Sequence, residues 1–331
     1  DALIHCYVAS LGDRYAYYRT AEEYEQYETD MSGEFCGIGV EVQYDARENT
    51  IQVLGIYDGS PAAEAGVRVG DYIVGVGGKT LEELGYSALV ASIRGEEGTE
   101  VSVMLLRDGK TLTVTATRRK IVEQSVRYDI DDGIGYVRIS SFKANTATQF
   151  REAIDALESA GVLGIVFDLR SNPGGYLQAV VSTLSYLVPM GTRVVSYVEN
   201  DKVDHPIYAS GEHKLTVPAV VLCNEYTASA GELFTAAMRD YNESGVLRAT
   251  VVGTKTYGKG VMQNTYTYSD GSSLTITMAY YNPPSGNNYD GEGITPSGKN
   301  YVEASEGDDA QLARGYEALR ELLTETGANA G

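Results

Sequence analysis

The sequence predicts an α/β fold with a largely parallel sheet and flanking helices, a small β-rich module and a helical cap. Apolar strands such as 164–169 and 217–223 are each followed by a helical pattern, which is typical of a parallel sheet buried on both faces. From residue 35 to residue 119 the chain instead alternates short strand-like runs with turns. We therefore expect a helical cap (1–34), a β-rich module (35–119) and an α/β core (120–331).

Composition and charge narrow the range of partners. A chain of 331 residues with 43% hydrophobic residues is long enough for about two domains. The net charge of −20 argues against nucleic acid or anionic membrane as a partner, because both would repel such a surface. No run of 18 apolar residues occurs, so we expect no membrane-spanning segment. The chain begins at Asp1 rather than at methionine, so we expect that an upstream signal or membrane anchor has been removed.

The three cysteines and three histidines do not predict a metal site. Cys6, Cys36 and Cys223 form no Cys-x-x-Cys pair and no metal-ligand spacing. Cys6 and Cys36 could form a disulfide, or the thiols could be small buried hydrophobic groups, and both alternatives stay open. The histidines occupy no metal-binding motif. We expect neither a metal ion nor a cofactor.

The β-rich module contains three motifs: Gly-Ile-Gly-Val (37–40), Gly-Ser-Pro-Ala-Ala-Glu-Ala-Gly (59–66) and Val-Gly-Asp-Tyr-Ile (69–73). A lone Gly-x-Gly is usually only a turn, but the three motifs in this order resemble a PDZ domain of the bacterial protease type. The resemblance implies that the first motif binds the carboxylate of a peptide C-terminus and that the next strand edge pairs with the peptide. Glycines permit close approach, and successive N–H groups form an anion-binding nest. The residues concerned are Gly37, Ile38, Gly39 and Val40.

Ser229 lies between a buried strand and an amphipathic helix. A serine in the first turn of a helix is most often only an N-cap. Here the neighbouring residues are small, which would let a substrate carbonyl approach. The helix N-terminus also offers free N–H groups and a positive dipole end, which suit a developing oxyanion. Ser229 is therefore a candidate nucleophile.

Lys259 is the candidate base, although a lysine in a loop is normally solvated. To accept a proton near neutral pH, its pKa must fall from about 10.4 to about 7–8, a difference of roughly 4 kcal/mol. Burial would supply this, with help from a second positive charge such as Lys255. Gly258 and Gly260 would let the backbone carry the lysine inward, and Gln263 would orient its amine.

A glycine pair follows the strand that ends at Asp168. Gly174 and Gly175 come after the carboxyl end of a predicted parallel strand, where α/β sheets usually bind ligands. Their N–H groups could form an oxyanion hole with that of Ala230, and the alternative is a plain turn. We expect Asp168 and Arg170 to be structural partners.

These segments together resemble the carboxyl-terminal processing peptidases, which are serine endopeptidases with a Ser–Lys dyad. The serine segment matches 224–232, the lysine segment 253–263 and the glycine-pair segment 168–175. The resemblance implies a crotonase-like core with an inserted PDZ domain, and it gives each candidate residue a role. Ser229 is then the nucleophile, Lys259 the general base, Gln263 its orienting residue, Ala230 with Gly174 or Gly175 the oxyanion hole, and Arg94 a residue that couples the PDZ domain to the core.

The chain departs from the family pattern without losing a catalytic group. The usual Ser-Ala-Ser-Ala-Ser-Glu is replaced by Thr-Ala-Ser-Ala-Gly-Glu at 227–232, and Ser297 replaces an aspartate.

The resemblance implies an extracytoplasmic endopeptidase that captures unfolded or C-terminally exposed polypeptides through its PDZ domain. A homo-oligomer and a membrane tether outside the chain stay open. The alternative is a catalytically quiet PDZ-containing binding or scaffolding protein. A Ser-His-Asp hydrolase has little support, because no Gly-x-Ser-x-Gly motif surrounds Ser229.

Overall fold

The computed structural model describes residues 2–305 and 307–328. The chain forms two compact units, one made of Glu34–Glu123 and the other of the residues on either side of that segment. In the described ranges, no helix combines the length and apolar character that crossing a membrane requires.

The N-terminal residues form two helices and a strand: α1 (Ala2–Ala9), β1 (Tyr17–Arg19) and α2 (Ala21–Ser32). Thr20 caps α2, because its side chain accepts from the Glu23 N–H while the Glu23 carboxylate accepts from the Thr20 N–H. Gly33 ends the helix with a φ of 74°, a left-handed conformation that suits glycine. The sequence pattern predicted helices here but not strand β1.

The smaller unit contains eight strands and three short helices. In chain order they are β2 (Glu34–Gly37), β3 (Val40–Asp45), β4 (Thr50–Ile56), α3 (Pro61–Glu64), β5 (Tyr72–Val76), β6 (Lys79–Thr80), α4 (Leu81–Leu84), α5 (Tyr86–Ile93), β7 (Glu100–Arg107), β8 (Lys110–Thr117) and β9 (Arg119–Val122). The main sheet has the order β3-β4-β5-β7-β8, with β6 paired to β5, and β2 pairs separately with β9. Strand β3 therefore lies at one edge of the main sheet.

The larger unit continues after residue 123. Its elements are β10 (Val126–Asp131), β11 (Ile134–Ile139), α6 (Thr146–Ser159), β12 (Gly164–Asp168), α7 (Leu177–Leu187), β13 (Arg193–Val198), β14 (Asp204–Tyr208), β15 (Ala219–Cys223), α8 (Ala230–Glu243), β16 (Ala249–Gly253), β17 (Val261–Thr267), β18 (Ser273–Asn282), a 3-10 helix (Gly298–Asn300) and α9 (Ala310–Ala328).

One sheet of the larger unit has the order β10-β11-β12-β15-β16 and is parallel apart from β10. Alternate residues of β12 pack to opposite faces. Ile165 and Phe167 join the core cluster that includes α6, α7 and α8, and Val166 packs with α9. Because both faces are covered, β12 and β15 are buried along their whole length, which is why they read as apolar runs.

The second sheet of the larger unit is antiparallel. Along one edge of β18, β1 pairs with residues 273–275 and β13 pairs with residues 280–282, and β14 pairs in turn with β13. Along the opposite edge, β17 pairs with residues 273–280 of β18. The core is thus built on mixed sheets, and the expected largely parallel sheet describes only the first of them. The strands of the second sheet were missed because residues such as those of β17 and β18 are rich in threonine and tyrosine and mostly half-buried, so they form no apolar run.

Candidate active site

Ser229 occupies a strained elbow between strand β15 and helix α8. Its φ of 54° and ψ of −119° lie in a region that non-glycine residues rarely adopt. Neighbouring bonds hold the elbow: the Ala228 N–H donates to the Asn172 carbonyl at 2.9 Å, and the Thr227 hydroxyl donates to the Leu169 carbonyl at 2.8 Å. A serine held in this way presents its hydroxyl at the end of the parallel sheet.

Glu232 joins the serine and lysine segments. Its fully buried carboxylate accepts the Ser229 N–H at 3.0 Å on one oxygen and the Lys259 N–H at 2.8 Å on the same oxygen. The other oxygen accepts the Gly258 N–H and the Thr256 hydroxyl, both at 2.6 Å. The sequence pattern had predicted no role for Glu232. The available signal was a glutamate three residues after a helix-starting serine.

Tyr281 links the Ser229 hydroxyl to the lysine loop. Its hydroxyl donates to the Lys259 carbonyl at 2.6 Å and lies 3.3 Å from Ser229 Oγ. Because a phenol has one proton, the Ser229 hydroxyl donates to Tyr281 in this arrangement. Burial raises the pKa of Tyr281 far above its ordinary value, so this tyrosine is neutral and is not a base near pH 7.

Lys259 is half-buried, with its Nζ 4.7 Å from the centroid of the Tyr15 ring. Burial lowers the pKa of the Lys259 ammonium, and the carboxylates of Asp13, Glu232 and Asp290 oppose part of this shift. Within residues 2–305 and 307–328, no hydrogen bond joins the Lys259 Nζ to Ser229 Oγ.

Two expectations about the lysine loop have different outcomes. Lys255, expected as a helping positive charge, is exposed, and the pKa of Lys259 is lowered by burial instead. The two glycines, expected to let the backbone carry the lysine inward, lie where other residues would be strained. A Cβ on Gly260 would lie 2.8 Å from the Asp290 nitrogen, and Gly258 has a φ of 92°.

Gln263 lies on β17 next to a β-bulge and belongs to a chain of polar contacts. Its Nε2 donates to Thr277 Oγ1 at 3.3 Å, and Thr277 Oγ1 donates to the Asp13 carboxylate at 2.9 Å. The Thr277 N–H also donates to Asp13 at 2.8 Å. Burial raises the pKa of Asp13, but the N–H groups of Thr277 and Tyr15 outweigh it and lower that pKa. Among the described residues no donor meets Gln263 Oε1, which leaves this oxygen available to an ammonium.

Gly174 lies against Ser229, while its N–H is already used. A Cβ on Gly174 would lie 2.7 Å from the Ser229 Cβ, and the Gly174 N–H donates to Asn172 Oδ1 at 2.8 Å. In the part of the chain that the structure describes, neither the Gly175 N–H nor the Ala230 N–H has a partner. These two groups, rather than Gly174, are the free donors near the serine.

An open cleft of about 790 Å3 contains Ser229 and Lys259. Aromatic side chains line much of it, and several of them come from the N-terminal residues. The lining includes Tyr15, Tyr17, Arg19, Tyr27, Tyr176, Met262 and Gln263. Residues expected from sequence to form only a helical cap therefore form part of the cleft wall.

The Gly-Ile-Gly-Val motif (37–40), which was expected to bind a carboxylate, lies at the junction of β2 and β3. The N–H groups of Ile38 and Gly39 have no partner among the described residues, whereas their carbonyls accept from Ala62 and Tyr57. Gly39 has a φ of 77°, and a Cβ there would lie 2.5 Å from the Ser60 Cβ. The loop thus offers two successive N–H groups beside an edge strand.

Arg94 follows α5, and its guanidinium carbon lies 5.0 Å from the centroid of the Phe35 ring, within the same unit. All three cysteines lie in the described ranges and are free thiols.

Comparisons with known proteins identify the family of the chain. Residues 133–299, half of the chain, match the model of peptidase family S41, and residues 52–107 match a PDZ domain. The chain is 35% identical over 301 residues to a probable CtpA-like serine protease of Staphylococcus saprophyticus, covering 90% of this chain and 60% of the relative. It is 36% identical over 302 residues to one from Staphylococcus haemolyticus, covering 90% and 59%. The chain thus spans about 60% of the length of these curated relatives.

Solved structures of similar fold include peptidases. The photosystem II D1 C-terminal processing protease is 28% identical with a TM-score of 0.55, covering 95% of this chain and 84% of that one. A structure described as an S41 protease from Bacteroides fragilis has a TM-score of 0.61 at 19% identity, covering 99% and 90%, and shows similarity of fold alone. The resemblance stated from sequence is confirmed: the chain belongs to peptidase family S41 and contains a PDZ domain.

Proposed function

We propose that the protein is a serine endopeptidase that captures exposed polypeptide C-termini with its PDZ domain and cleaves through an acyl-enzyme on Ser229. The observation that carries the proposal is the Glu232 carboxylate, which binds the N–H groups of both Ser229 and Lys259 and so brings the two segments together beside one cleft. Family S41 membership supports the same chemistry. An extracytoplasmic location and a crotonase-like arrangement of the core belong to this proposal.

In the proposed mechanism, Lys259 takes the proton of Ser229 as the hydroxyl attacks the substrate carbonyl. The burial that lowers the pKa of Lys259 favours the neutral amine that this step needs. The Ala230 and Gly175 N–H groups stabilise the oxyanion. Lys259 then protonates the leaving amine, and a water activated by the same lysine releases the acyl group.

Assembly of the dyad needs a movement of the lysine side chain. Proton transfer requires heavy atoms within about 2.6–3.2 Å, and the Lys259 Nζ instead faces the Tyr15 ring. Gln263 Oε1, free of other donors among the described residues, would hold the amine once it turns toward Ser229. We expect substrate in the cleft to favour this movement.

The PDZ part of the proposal rests on the loop at 37–40 and the edge strand β3. Two free N–H groups can bind a terminal carboxylate, and the open edge can pair with the peptide. Arg94 as a coupling residue stays a proposal. Its contact with Phe35 on β2, the strand that leads into the loop, supports a link within the PDZ domain.

The test is cleavage of an unfolded casein-like protein and labelling by a fluorophosphonate probe. Ser229→Ala should abolish both, and Lys259→Ala should abolish cleavage, while thermal unfolding shows that both variants are folded. Cleavage that persists in either variant contradicts the dyad. If the unaltered protein neither cleaves nor labels, with or without a C-terminal peptide, the scaffolding alternative is favoured.

A further inference from the structure

The side chains that line the cleft carry an unusual balance of charge. The chain has 46 acidic and 26 basic residues, yet the charged residues lining the cleft, all within the described ranges, are Arg19 and Lys259. No carboxylate lines it. Lys259 is the base of the proposed Ser229–Lys259 dyad. Arg19 is the charged residue of the cleft lining that has no role in the proposed mechanism.

Arg19 is held in place without an acidic partner. Strand β1 pairs with β18, and Arg19 Nη1 donates to Thr275 Oγ1 at 3.0 Å. The guanidinium carbon lies 4.1 Å from the Tyr27 ring centroid and 4.7 Å from that of Tyr17. Within residues 2–305 and 307–328, no carboxylate lies in ion-pair distance of Arg19. A guanidinium has five N–H donors, so most of them are left for a ligand.

The pairing of β18 gives the approximate distance from Arg19 to the nucleophile. Arg19 binds Thr275, Tyr281 contacts Ser229 Oγ, and both Thr275 and Tyr281 line the cleft. Six strand residues at roughly 3.3–3.4 Å each place the two contacts about 20 Å apart. An extended peptide covers this distance in about six residues.

The direction of strand β17 along the cleft indicates a path for such a peptide. It runs from the Lys259 loop along the cleft, with residues 261–265 in the lining, and it pairs with β18 alone among the described strands. Thr265 stands opposite Thr275, the residue that Arg19 binds. At Thr275, β17 and β1 pair with opposite edges of β18, so the free edge of β17 lies on the side away from Arg19. An extended chain that lies in the cleft across the faces of β17 and β18 passes from Ser229 to Arg19.

We propose that Arg19 is a substrate-binding residue that takes a carboxylate of the bound polypeptide about six residues from the bond that is cleaved. The ligand is an aspartate or glutamate side chain, because a planar guanidinium binds a carboxylate through paired hydrogen bonds. The inference rests on the proposed function, since it concerns the same cleft. It makes the enzyme selective for acidic segments of unfolded chains.

The first experiment uses the position of the cleaved bond. Neutral 16-residue peptides carry one glutamate and a C-terminal amide, which removes the carboxylate that the PDZ domain would bind. Mass spectrometry should find cleavage about six residues from the glutamate, and moving the glutamate by two residues should move the cleaved bond by two. A cleaved bond that does not follow the glutamate overturns the inference and leaves the proposed function intact.

The second experiment measures binding and does not depend on cleavage. In a Ser229→Ala background, fluorescence anisotropy compares labelled peptides that carry glutamate, glutamine or lysine at the same position. We expect the glutamate peptide to bind at least about tenfold more tightly than the glutamine peptide. Arg19→Gln should remove the difference, and Arg19→Glu should favour the lysine peptide. Equal binding of all three peptides by the unaltered cleft overturns the inference.

The matched control is Arg47→Gln, which changes the net charge equally at an exposed position in the smaller unit. It should keep the preference for glutamate. Thermal unfolding shows whether the Arg19 variants fold. If they do not, the comparison of the three peptides on the unaltered cleft still tests whether the cleft prefers a carboxylate. Failure of the unaltered protein to cleave any peptide or unfolded protein contradicts the proposed function, and the anisotropy series then still decides the role of Arg19.

Discussion

Replacement of Glu232 by glutamine should destabilise the protein and slow its chemistry together. The carboxylate accepts four hydrogen bonds, two on each oxygen. In glutamine an NH2 group replaces one of these oxygens. This group faces two donors and cannot accept hydrogen bonds from them, so two hydrogen bonds are lost. At about 1.5–3 kcal/mol for each bond to a charged group, the loss is about 3–6 kcal/mol. This is a large part of the 5–15 kcal/mol typical of whole proteins, and we expect Tm to fall by roughly 10 °C.

The effect on activity follows from the same contacts. Glu232 binds the backbone of Ser229 and of Lys259, so Glu232→Gln should displace both groups. A displacement of about 1 Å can cost roughly 100-fold in rate. The assay is the rate of fluorophosphonate labelling of Ser229, measured at a temperature where thermal unfolding shows that the variant is folded.

Asp240→Asn is the matched control. Asp240 is a second buried carboxylate on α8, and it accepts from the Ser285 N–H and the Arg239 guanidinium. This control should lower Tm while the labelling rate stays near that of the unaltered protein. If Glu232→Gln labels at the parent rate and unfolds at the parent temperature, the reasoning about Glu232 is refuted. Loss of stability alone, as in Asp240→Asn, would make Glu232 a purely structural residue.

Three further predictions concern single contacts. Gly174→Ala should cut the cleavage rate by about 100-fold, because its Cβ would lie 2.7 Å from that of Ser229, the proposed nucleophile. Burial lowers the pKa of Lys259, so kcat/KM should rise with pH along a limb whose pKa is below 10.5, and Lys259→Met should be more stable than the parent at pH 7. Burial lowers the pKa of His213, but its contact with Glu158 outweighs this and raises the pKa above 6.5. The contribution of this pair, below about 1 kcal/mol, is therefore complete below about pH 6.5 and lost as pH rises through the folded pKa.

Each of these predictions has its own check. The control for Gly174→Ala is Gly109→Ala. Gly109 also has a positive φ, but open space surrounds the position of its Cβ, so Gly109→Ala should lower the stability of the protein without lowering its activity. An acid limb at the ordinary lysine pKa would contradict the role given to burial. For His213, Tm of the parent and of His213→Gln should differ more at pH 5.5 than at pH 8.5, and a constant difference would contradict the ion pair.

The sequence predicted those parts of the molecule that depend on local pattern. Buried strands such as β12 and β15 show continuous apolar runs, and the small residues around Ser229 indicated the elbow. The chain of contacts from Gln263 through Thr277 to Asp13 could not be predicted, because its link between Thr277 and Asp13 joins residues that are 264 positions apart. Local pattern carries no information about such pairs. Glu232 was missed for a different reason, since its spacing from Ser229 fits an ordinary helix cap as well as a catalytic support.

The N-terminal residues are therefore better described as part of the candidate active site than as a cap. Asp13 accepts hydrogen bonds from Thr277, and its negative charge opposes part of the fall in the pKa of Lys259. The Tyr15 ring lies beside the Lys259 ammonium, and Arg19 lines the cleft. These effects oppose one another: burial favours the neutral lysine, and the nearby carboxylates favour the charged one. Since substrate in the cleft would change both the burial and the position of the Nζ, the balance can tip toward the base when a peptide is bound. Glu232 holds the backbone of the strained Ser229 whether or not a peptide is bound. The lysine side chain is therefore the group whose movement can switch the proposed peptidase from its resting state to its reactive state.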